Sequence, residues 1–347
     1  MKIALITGIS GQDGSYVAEL LIMKGYKIYG IVRRNSFLFN SARLEHIRYH
    51  LNLVYGDMTD ALGLSNTIHK IINENRDIMT RFEIYNLAAQ SHVQVSFEIP
   101  KYTTEVDGIG VCNLLEIVRV LPKNITDKIR VYQAGTSEMY GHVLETPQTE
   151  TTPFNPCSPY AAAKVYAYNM MKIYREGYGL YCSNGILFNH ESPRRGAHFV
   201  TQKIIRGVLD IGSYKNKEGY IQLGNLYSKR DWGHTYDYVR GMWLMLQQKE
   251  PDDFVLATGE THTVKSFVEK AFKYKGMILK WEGEGINEKG IDQDGKIRVK
   301  ISEKFYRPCE VELLLGNPSK ARTKLNWSRK FKTLDELIKD MFHFSKT

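Results

Sequence analysis

The sequence predicts a doubly wound α/β fold, a parallel sheet with helices on both faces and a smaller α/β unit built mainly from C-terminal segments. Three observations carry this expectation. Short apolar runs alternate with helix-period stretches along the first half of the chain. The first such run, Ile3 to Ile6, opens directly into Thr7-Gly8-Ile9-Ser10-Gly11-Gln12-Asp13-Gly14, with glycines at every third position. The chain has 347 residues, 43% hydrophobic and 24% charged, enough for a large core in a globular protein.

In the glycine turn, Gly8 permits the tight bend, Gly11 the close approach of phosphates, and Gly14 the packing of helix on strand. Backbone N–H groups and the positive helix end then face a pyrophosphate. The spacing is GxxGxxG rather than GxGxxG, so an ordinary glycine-rich turn stays open as an alternative. No Gly-Lys-Ser/Thr follows, which disfavours a Walker-type loop. Ser15 to Met23 reads as the first helix, stopped by Gly25. Lys27 to Val32 is the second strand and ends in Arg33-Arg34-Asn35-Ser36. An NAD site usually carries an acidic side chain there. Two arginines suit a 2′-phosphate instead, or form a solvated basic corner.

Leu51 to Tyr55 is the third strand. In the following Gly56-Asp57-Met58, Asp57 either accepts from an adenine amino group or caps the helix after Thr59. Phe82 to Leu87 is the fourth strand, and the small residues of Ala88-Ala89-Gln90-Ser91 let a dinucleotide lie close to the backbone. Val106, Ile109, Leu114, Val118 and Leu121 predict one long crossover helix. Ile129 to Ala134 is the fifth strand, a polar loop runs to Pro159, helix resumes from Tyr160 to about Glu176, and Leu180 to Phe188 is the sixth strand. Residues 189–196 read as a polar loop too charged for a core. A short helix from Val200, a strand at Tyr220 to Leu223, a helix at Tyr236 to Gln248 and a returning strand at Phe254 to Thr258 follow. Residues 260–305 read as small α+β material with a surface loop at 283–295. Pro318 opens a helix, and Thr333 with Glu336 forms a capping box for the last one. The expected division is a nucleotide-binding unit at 1–188 with a return segment near 230–258, interleaved with a second unit at 189–229 and 259–347.

Lys and Arg total 47 against 38 Asp and Glu, a formal charge of +9 that favours anionic small ligands. No zinc-finger spacing or long basic run points to nucleic acid. No apolar run is long enough for a bilayer, and a first strand at residue 3 leaves no room for a cleavable signal. Cys112, Cys157, Cys182 and Cys309 are widely separated, with neither the spacing of a zinc site nor the density of a disulfide scaffold. The expectation is the cytoplasm or an equivalent reducing compartment, and no metal.

The chemistry concentrates at two places. Tyr160 and Lys164 lie four apart at a helix start, on one face. A phenol is a weak base near neutrality, and a neighbouring ammonium together with an oxidised nicotinamide favours its phenolate. With 22 tyrosines in the chain, such a pair also arises by chance. Thr136 is placed to donate to the reacting oxygen. Glu138 discriminates between reactions: hydride transfer alone does not need it, whereas elimination beside a ketone needs a base for carbon and an acid for the leaving hydroxide. A strand-end cap or ion pair is the alternative reading of Glu138.

These motifs, with Tyr160-Ala161-Ala162-Ala163-Lys164, Asn189-His190-Glu191-Ser192-Pro193-Arg194-Arg195-Gly196, Gly224-Asn225-Leu226-Tyr227-Ser228-Lys229-Arg230-Asp231-Trp232-Gly233-His234 and Arg307-Pro308-Cys309-Glu310-Val311, span essentially the whole chain. Together they resemble the GDP-mannose 4,6-dehydratase family of the extended short-chain dehydrogenase/reductases, which have a Rossmann fold. Ser137, where thymidine-linked relatives typically carry Asp, favours the guanosine branch. The resemblance implies a lyase that converts GDP-mannose to GDP-4-keto-6-deoxy-mannose with tightly held NADP. Tyr160, Lys164, Thr136 and Glu138 are its implied catalytic residues. Implied cofactor ligands are Gly8, Ser10, Gly11, Gln12, Asp13, Gly14, Arg33, Asn35, Ser36, Asp57, Met58, Leu87, Ala88, Ala89, Ser91, Leu187, Asn189, His190 and Arg195, besides Tyr160 and Lys164. Implied substrate ligands are Ser91, Thr136, Ser137, Glu138, Asn189, Val200, Lys203, Leu223, Gly224, Asn225, Lys229, Arg230, Arg307 and Glu310. It also implies a homodimer or homotetramer, with the segment from Arg33 to Arg43 reaching a neighbouring subunit. A downstream GDP-keto-sugar epimerase/reductase or reductase is the implied partner. The competing readings are a nucleotide-sugar 4-epimerase or reductase using the same Tyr160/Lys164 pair, and a non-catalytic NADP-binding scaffold.

Overall fold

The computed structural model describes residues 1–33, 42–213, 215–306 and 309–344. In chain order its strands are β1 (Lys2–Thr7), β2 (Lys27–Val32), β3 (Leu51–Tyr55), β4 (Arg81–Asn86), β5 (Ile129–Ala134), β6 (Tyr181–Leu187), β7 (Asn189–Glu191), β8 (Ile221–Leu223), β9 (Lys229–Arg230), β10 (Trp232–His234), β11 (Phe254–Leu256), β12 (His262–Thr263), β13 (Lys280–Glu282), β14 (Lys289–Ile291) and β15 (Ile297–Ile301). Seven of them form the main sheet in the order β11-β6-β5-β4-β1-β2-β3, with every neighbouring pair parallel. This is the expected doubly wound arrangement.

Successive residues of β1 point to opposite faces of the sheet and enter different cores. Ile3 and Leu5 pack with Ile84, Leu114 and Met171 on one face; Ala4 and Ile6 pack with Val17, Leu21, Tyr238 and Met242 on the other. Both faces of the central strands are therefore buried, which explains their unbroken apolar runs. Strand order reverses beside β1, between β2 and β4, and the crevice at such a reversal is where doubly wound sheets bind ligands. Thr7 ties the two strand ends together. Its hydroxyl donates to Asn86 Oδ1 at 2.7 Å and accepts from the N–H groups of Leu87 and Ala88, each at 3.0 Å.

A second sheet, β13-β14-β15-β8, covers a separate core that includes Ile204, Leu223, Phe267, Val299 and Leu337. The expected surface loop at 283–295 is thus corrected. Gly290 lies in β14, buried against Trp281 and Val299, because a strand without a side chain at that point fits between them. The short helix Ser319–Leu325 and Trp327 pack on the main sheet's core rather than on this second one.

Two other expectations change. Residues 189–191 are not loop: β7 pairs in parallel with β10, and Glu191 is buried because Thr201 Oγ1 donates to it and Arg195 pairs with it at 3.0 Å. The single long crossover helix is broken into Val93–Glu98, Pro100–Thr104, a π-helical turn Glu105–Ile109, and Gly110–Arg119. Pro100 enforces the first break, and Ile109, expected in the core, is largely exposed. π turns insert an extra residue and often mark functional positions.

The glycine turn is constrained twice over. Gly8 has φ +65°, and a Cβ there would meet the Ala88 backbone at 2.9 Å. A Cβ at Gly14 would lie 2.4 Å from the Gly8 carbonyl oxygen. Gly14→Ala should therefore cost about 1–3 kcal/mol, as overpacking against backbone usually does. A urea denaturation midpoint unchanged from the unsubstituted protein would contradict this.

Candidate active site

The helix Gln12–Met23 starts at Gly11, which offers no side-chain cap, so its first N–H groups open onto the crevice. The crevice is a cleft of about 2080 Å³ that runs from the end of β2 across the sheet to the segment at Glu310. Of the residues expected to hold a cofactor, every described one lines it: Gly8, Ser10, Gly11, Gln12, Asp13, Gly14, Arg33, Asp57, Met58, Leu87, Ala88, Ala89, Ser91, Tyr160, Lys164, Leu187, Asn189, His190 and Arg195. Arg34, Asn35, Ser36 and Arg307 lie outside the described residues. Of the expected substrate ligands, Ser91, Thr136, Ser137, Glu138, Asn189, Val200, Lys203, Leu223, Gly224, Asn225, Arg230 and Glu310 line the same cleft. Lys229 does not. Its side chain is exposed, on a strand paired with β12, because the alternation of a strand sends it away from the buried Arg230.

The mouth of the nucleotide end is set by ion pairs. His190 Nε2 lies 2.8 Å from Asp13 Oδ2, and Gln12 bonds both the His190 carbonyl and the Ser192 hydroxyl. Burial opposes the charged form of His190, but the Asp13 carboxylate outweighs it and the imidazole pKa is raised. For Asp13, burial is likewise outweighed by His190, and its pKa is lowered. Asp57 does not cap the following helix. It accepts from the N–H and hydroxyl of Thr59, while Asp60 caps Ala61–Asn75 through Gly63 N–H at 2.9 Å. Arg33 donates to the Tyr102 hydroxyl at 2.6 Å on the cleft wall. Arg43, also on that wall, donates to the carbonyls of Ser10 and Arg194 within its own chain.

The chemical end is built by two short pieces of local structure. Thr136 caps the turn Ser137–Tyr140, accepting from Glu138 N–H at 3.2 Å, which places the buried Glu138 carboxylate at the cleft wall. Ser158 caps Pro159–Tyr178 through Ala161 N–H, putting Tyr160 in the first turn and Lys164 one turn later. Tyr160 is also hydrogen-bonded to Thr136. The four residues converge as expected, with one revision. Burial raises the Tyr160 pKa, the charge of Asp107 adds to it, and the Thr136 bond only partly offsets both. Lys164 lies over the phenol ring, 5.8 Å from its centre, and donates to the Ala134 carbonyl at 3.1 Å. It therefore holds no direct bond to the phenol oxygen in this form.

Sequence reasoning missed Asp107. The π turn aims this buried carboxylate at Lys164; one oxygen accepts from Gln90 N–H at 2.7 Å, and the other has no hydrogen-bond partner among the described residues. Burial raises its pKa to about 6, against the pull of Lys164. Burial in turn lowers the Lys164 pKa, against the pull of Asp107 and Asp13. At the substrate end, Arg230 and Glu310 pair at 3.1 Å, and Lys203 stacks on Phe305 with its pKa lowered to about 8 by burial and then by Lys304. Cys157 and Cys309, widely separated in sequence, meet beside His142.

A dinucleotide fits this surface. The uncapped helix start suits its pyrophosphate, the glycines clear its path, and the buried Asn189 Oδ1 lacks a hydrogen-bond partner among the described residues. Residues 5–341 match the family described as GDP-mannose 4,6 dehydratase. The chain is 54% identical over 349 residues to GDP-mannose 4,6 dehydratase 2 of Caenorhabditis elegans, covering 98% of this chain and 88% of that protein. It is 52% identical over 351 residues to the Homo sapiens GDP-mannose 4,6 dehydratase, covering 99% and 91%. In fold it resembles a dTDP-glucose 4,6-dehydratase from Bacillus anthracis solved with NAD, at TM-score 0.76 and 20% identity over 100% and 97% of the two chains. A Thermus thermophilus UDP-glucose 4-epimerase solved with NAD gives TM-score 0.76 and 23% identity over 99% of each.

Asp107 makes stability depend on pH in a definite direction. The unfolded carboxyl ionises near pH 4, while the folded one stays protonated to about pH 6. Its contribution to stability is therefore fully present below pH 4, falls between pH 4 and about 6, and is flat above. The difference in unfolding free energy between the unsubstituted protein and Asp107→Asn, measured by urea titration across that range, should fall in the same window; a pH-independent difference would refute the assignment.

Proposed function

We propose that this chain, which belongs to the GDP-mannose 4,6-dehydratase family, converts GDP-mannose to GDP-4-keto-6-deoxy-mannose and water with a tightly held NADP. The observation that carries this reading is the buried Glu138 carboxylate sharing one cleft wall with Thr136, Tyr160 and Lys164 at the end of the glycine turn. A nicotinamide held beside Tyr160 and Lys164 would supply the reversible exchange of hydride with the sugar that this reaction needs. The chain's own residues handle the protons. Tyr160 takes the proton of the 4-hydroxyl, with Thr136 donating to the same oxygen to hold it in line. Lys164 holds the nicotinamide ribose and adds positive charge beneath the phenol. The new 4-ketone makes the C5 hydrogen acidic. Glu138 removes it and passes a proton to the departing 6-hydroxyl, so one carboxyl serves as base and then acid; as C6 is reduced, C5 takes a proton back from solvent, balancing the one that Tyr160 releases.

NADP rather than NAD is favoured by Arg33 at the β2 end of the cleft, where an acidic residue would be needed to hold an unphosphorylated ribose. The sugar nucleotide lies, in this reading, against the segments carrying Lys203, Asn225, Arg230 and Glu310, and the cofactor against those before residue 188 together with Asn189, His190 and Arg195. Assembly as a homodimer or homotetramer in the cytoplasm, with product passed to an epimerase/reductase or reductase, belongs to the same proposal.

Glu138→Gln should still oxidise C4 but lose dehydration by about 10²–10⁴-fold, the usual worth of a positioned acid or base. With C4-deuterated GDP-mannose and catalytic NADP+, mass spectrometry should find the deuterium at C6 and the product lighter by one water. A product of unchanged mass would instead mark a 4-epimerase. The Lys203 ammonium gives a second test. Its charge falls as pH rises through about 8, so KM for the sugar nucleotide should rise above that pH, and Lys203→Met should flatten the rise with little effect on kcat.

A further inference from the structure

Near Glu138 and Glu310, but not among the residues that line the cleft, lies a group that the dehydration chemistry does not use. His142, Cys157 and Cys309 are far apart in sequence, yet their ligand atoms all lie within 4.8 Å of one another. Cys309 Sγ is 3.3 Å from His142 Nε2. We propose that these three side chains form a binding site for a thiophilic divalent cation of the zinc type, with its fourth position open to solvent.

The donor set selects the ion. Two sulfurs and one imidazole suit zinc or a similar borderline-soft metal, and exclude magnesium and calcium, which take oxygen ligands. Metal–sulfur and metal–nitrogen bonds of about 2.3 and 2.0–2.1 Å put tetrahedral donors roughly 3.5–3.8 Å apart. The observed 3.3 Å contact already falls near that range, and no two of the donors are more than 4.8 Å apart. Three protein ligands with one open place is the arrangement of accessible zinc sites rather than of closed structural ones. His142 is exposed, which gives the ion a path of entry.

Two of the ligands are held in place before any ion arrives. His142 N–H donates to the Asn155 carbonyl at 3.2 Å, and Asn155 Nδ2 donates back to the His142 carbonyl at 2.9 Å. Asn155 is two residues before Cys157, so the imidazole and the first thiol sit on one braced loop. Cys309 comes from a distant segment. An ion there therefore ties three chain segments together: the one leaving the Glu138 turn, the one entering the Tyr160 helix, and the one carrying Glu310. Coordination displaces one proton from each thiol to solvent, with no change of oxidation state.

Cobalt(II) is the probe, because thiolate coordination gives it a near-ultraviolet charge-transfer band and tetrahedral d–d absorption. Titrating the fully reduced, cofactor-loaded protein should produce these bands at one equivalent per chain, and zinc should abolish them by displacement. Saturating zinc should also raise the melting temperature and slow modification of two thiols by an aromatic disulfide reagent at least tenfold. Cys157→Ser and Cys309→Ala should each remove the bands, His142→Asn should weaken binding at least tenfold, and Cys112→Ser should change nothing. Circular dichroism of each variant checks that it is folded. Absence of the bands in the reduced protein would overturn the proposal, including the case in which Cys157 and Cys309 merely form a disulfide under oxidised glutathione. Bands that survive in both cysteine variants would overturn it equally.

Discussion

A buried ammonium must be compensated, and much of the architecture around the cleft answers to that requirement for Lys164. An uncompensated charge in a protein interior costs several kcal/mol. The Ala134 carbonyl at the end of β5 accepts one of its hydrogens, and Asp107 and Asp13 supply opposite charge. Each answer has a structural source. Asp107 reaches the ammonium only because the crossover breaks into a π turn at Glu105–Ile109, and that turn packs against the helix carrying Lys164 through Gly108. Asp13 arrives on the first turn of the helix after β1. The end of β5, the crossover and the Tyr160 helix thus meet at a single cation, with the Asp13 charge acting on it from the glycine turn.

Elsewhere around the cleft, three arginines are each held by a carboxylate. Arg230 pairs with Glu310, Arg195 with Glu191, and Arg194 with Glu19. A diphosphate that engages any of these must displace a carboxylate or share its cation. Such pairs hold the planar guanidinium forks in fixed orientations, the geometry that bidentate recognition of an oxyanion uses.

The parts legible in the sequence were those governed by local pattern. Apart from the edge strand β3, whose Asn52 and Tyr55 are exposed, the parallel strands from β1 to β6 and the returning β11 could be read because both of their faces are buried, leaving apolar runs that turn residues bound on either side. Tyr160 and Lys164, Thr136 and Glu138 were legible because helix and turn spacing fix them locally. What was missed depends on long-range partners. Glu191 looks like loop until Arg195 and Thr201 neutralise it and β10 pairs beside it. Gly290 looks like a turn until Trp281 and Val299 close on it. Asp107 is one acidic residue among many until a π turn inward directs it, and no spacing rule brings Cys309 to His142 across 167 positions.

The second sheet has a consequence for the order in which a growing chain acquires its parts. β8 finds its parallel neighbour only in β15, some seventy residues later, whereas the main sheet is complete once β11 has been made. Synthesis runs from the N-terminus, so every strand of the main sheet is made before β15, yet Ala321, Leu325 and Trp327, which pack into the core of that sheet, come later still. The two halves are therefore interlocked along the chain, and neither core has its full set of side chains until the C-terminal segment is in place.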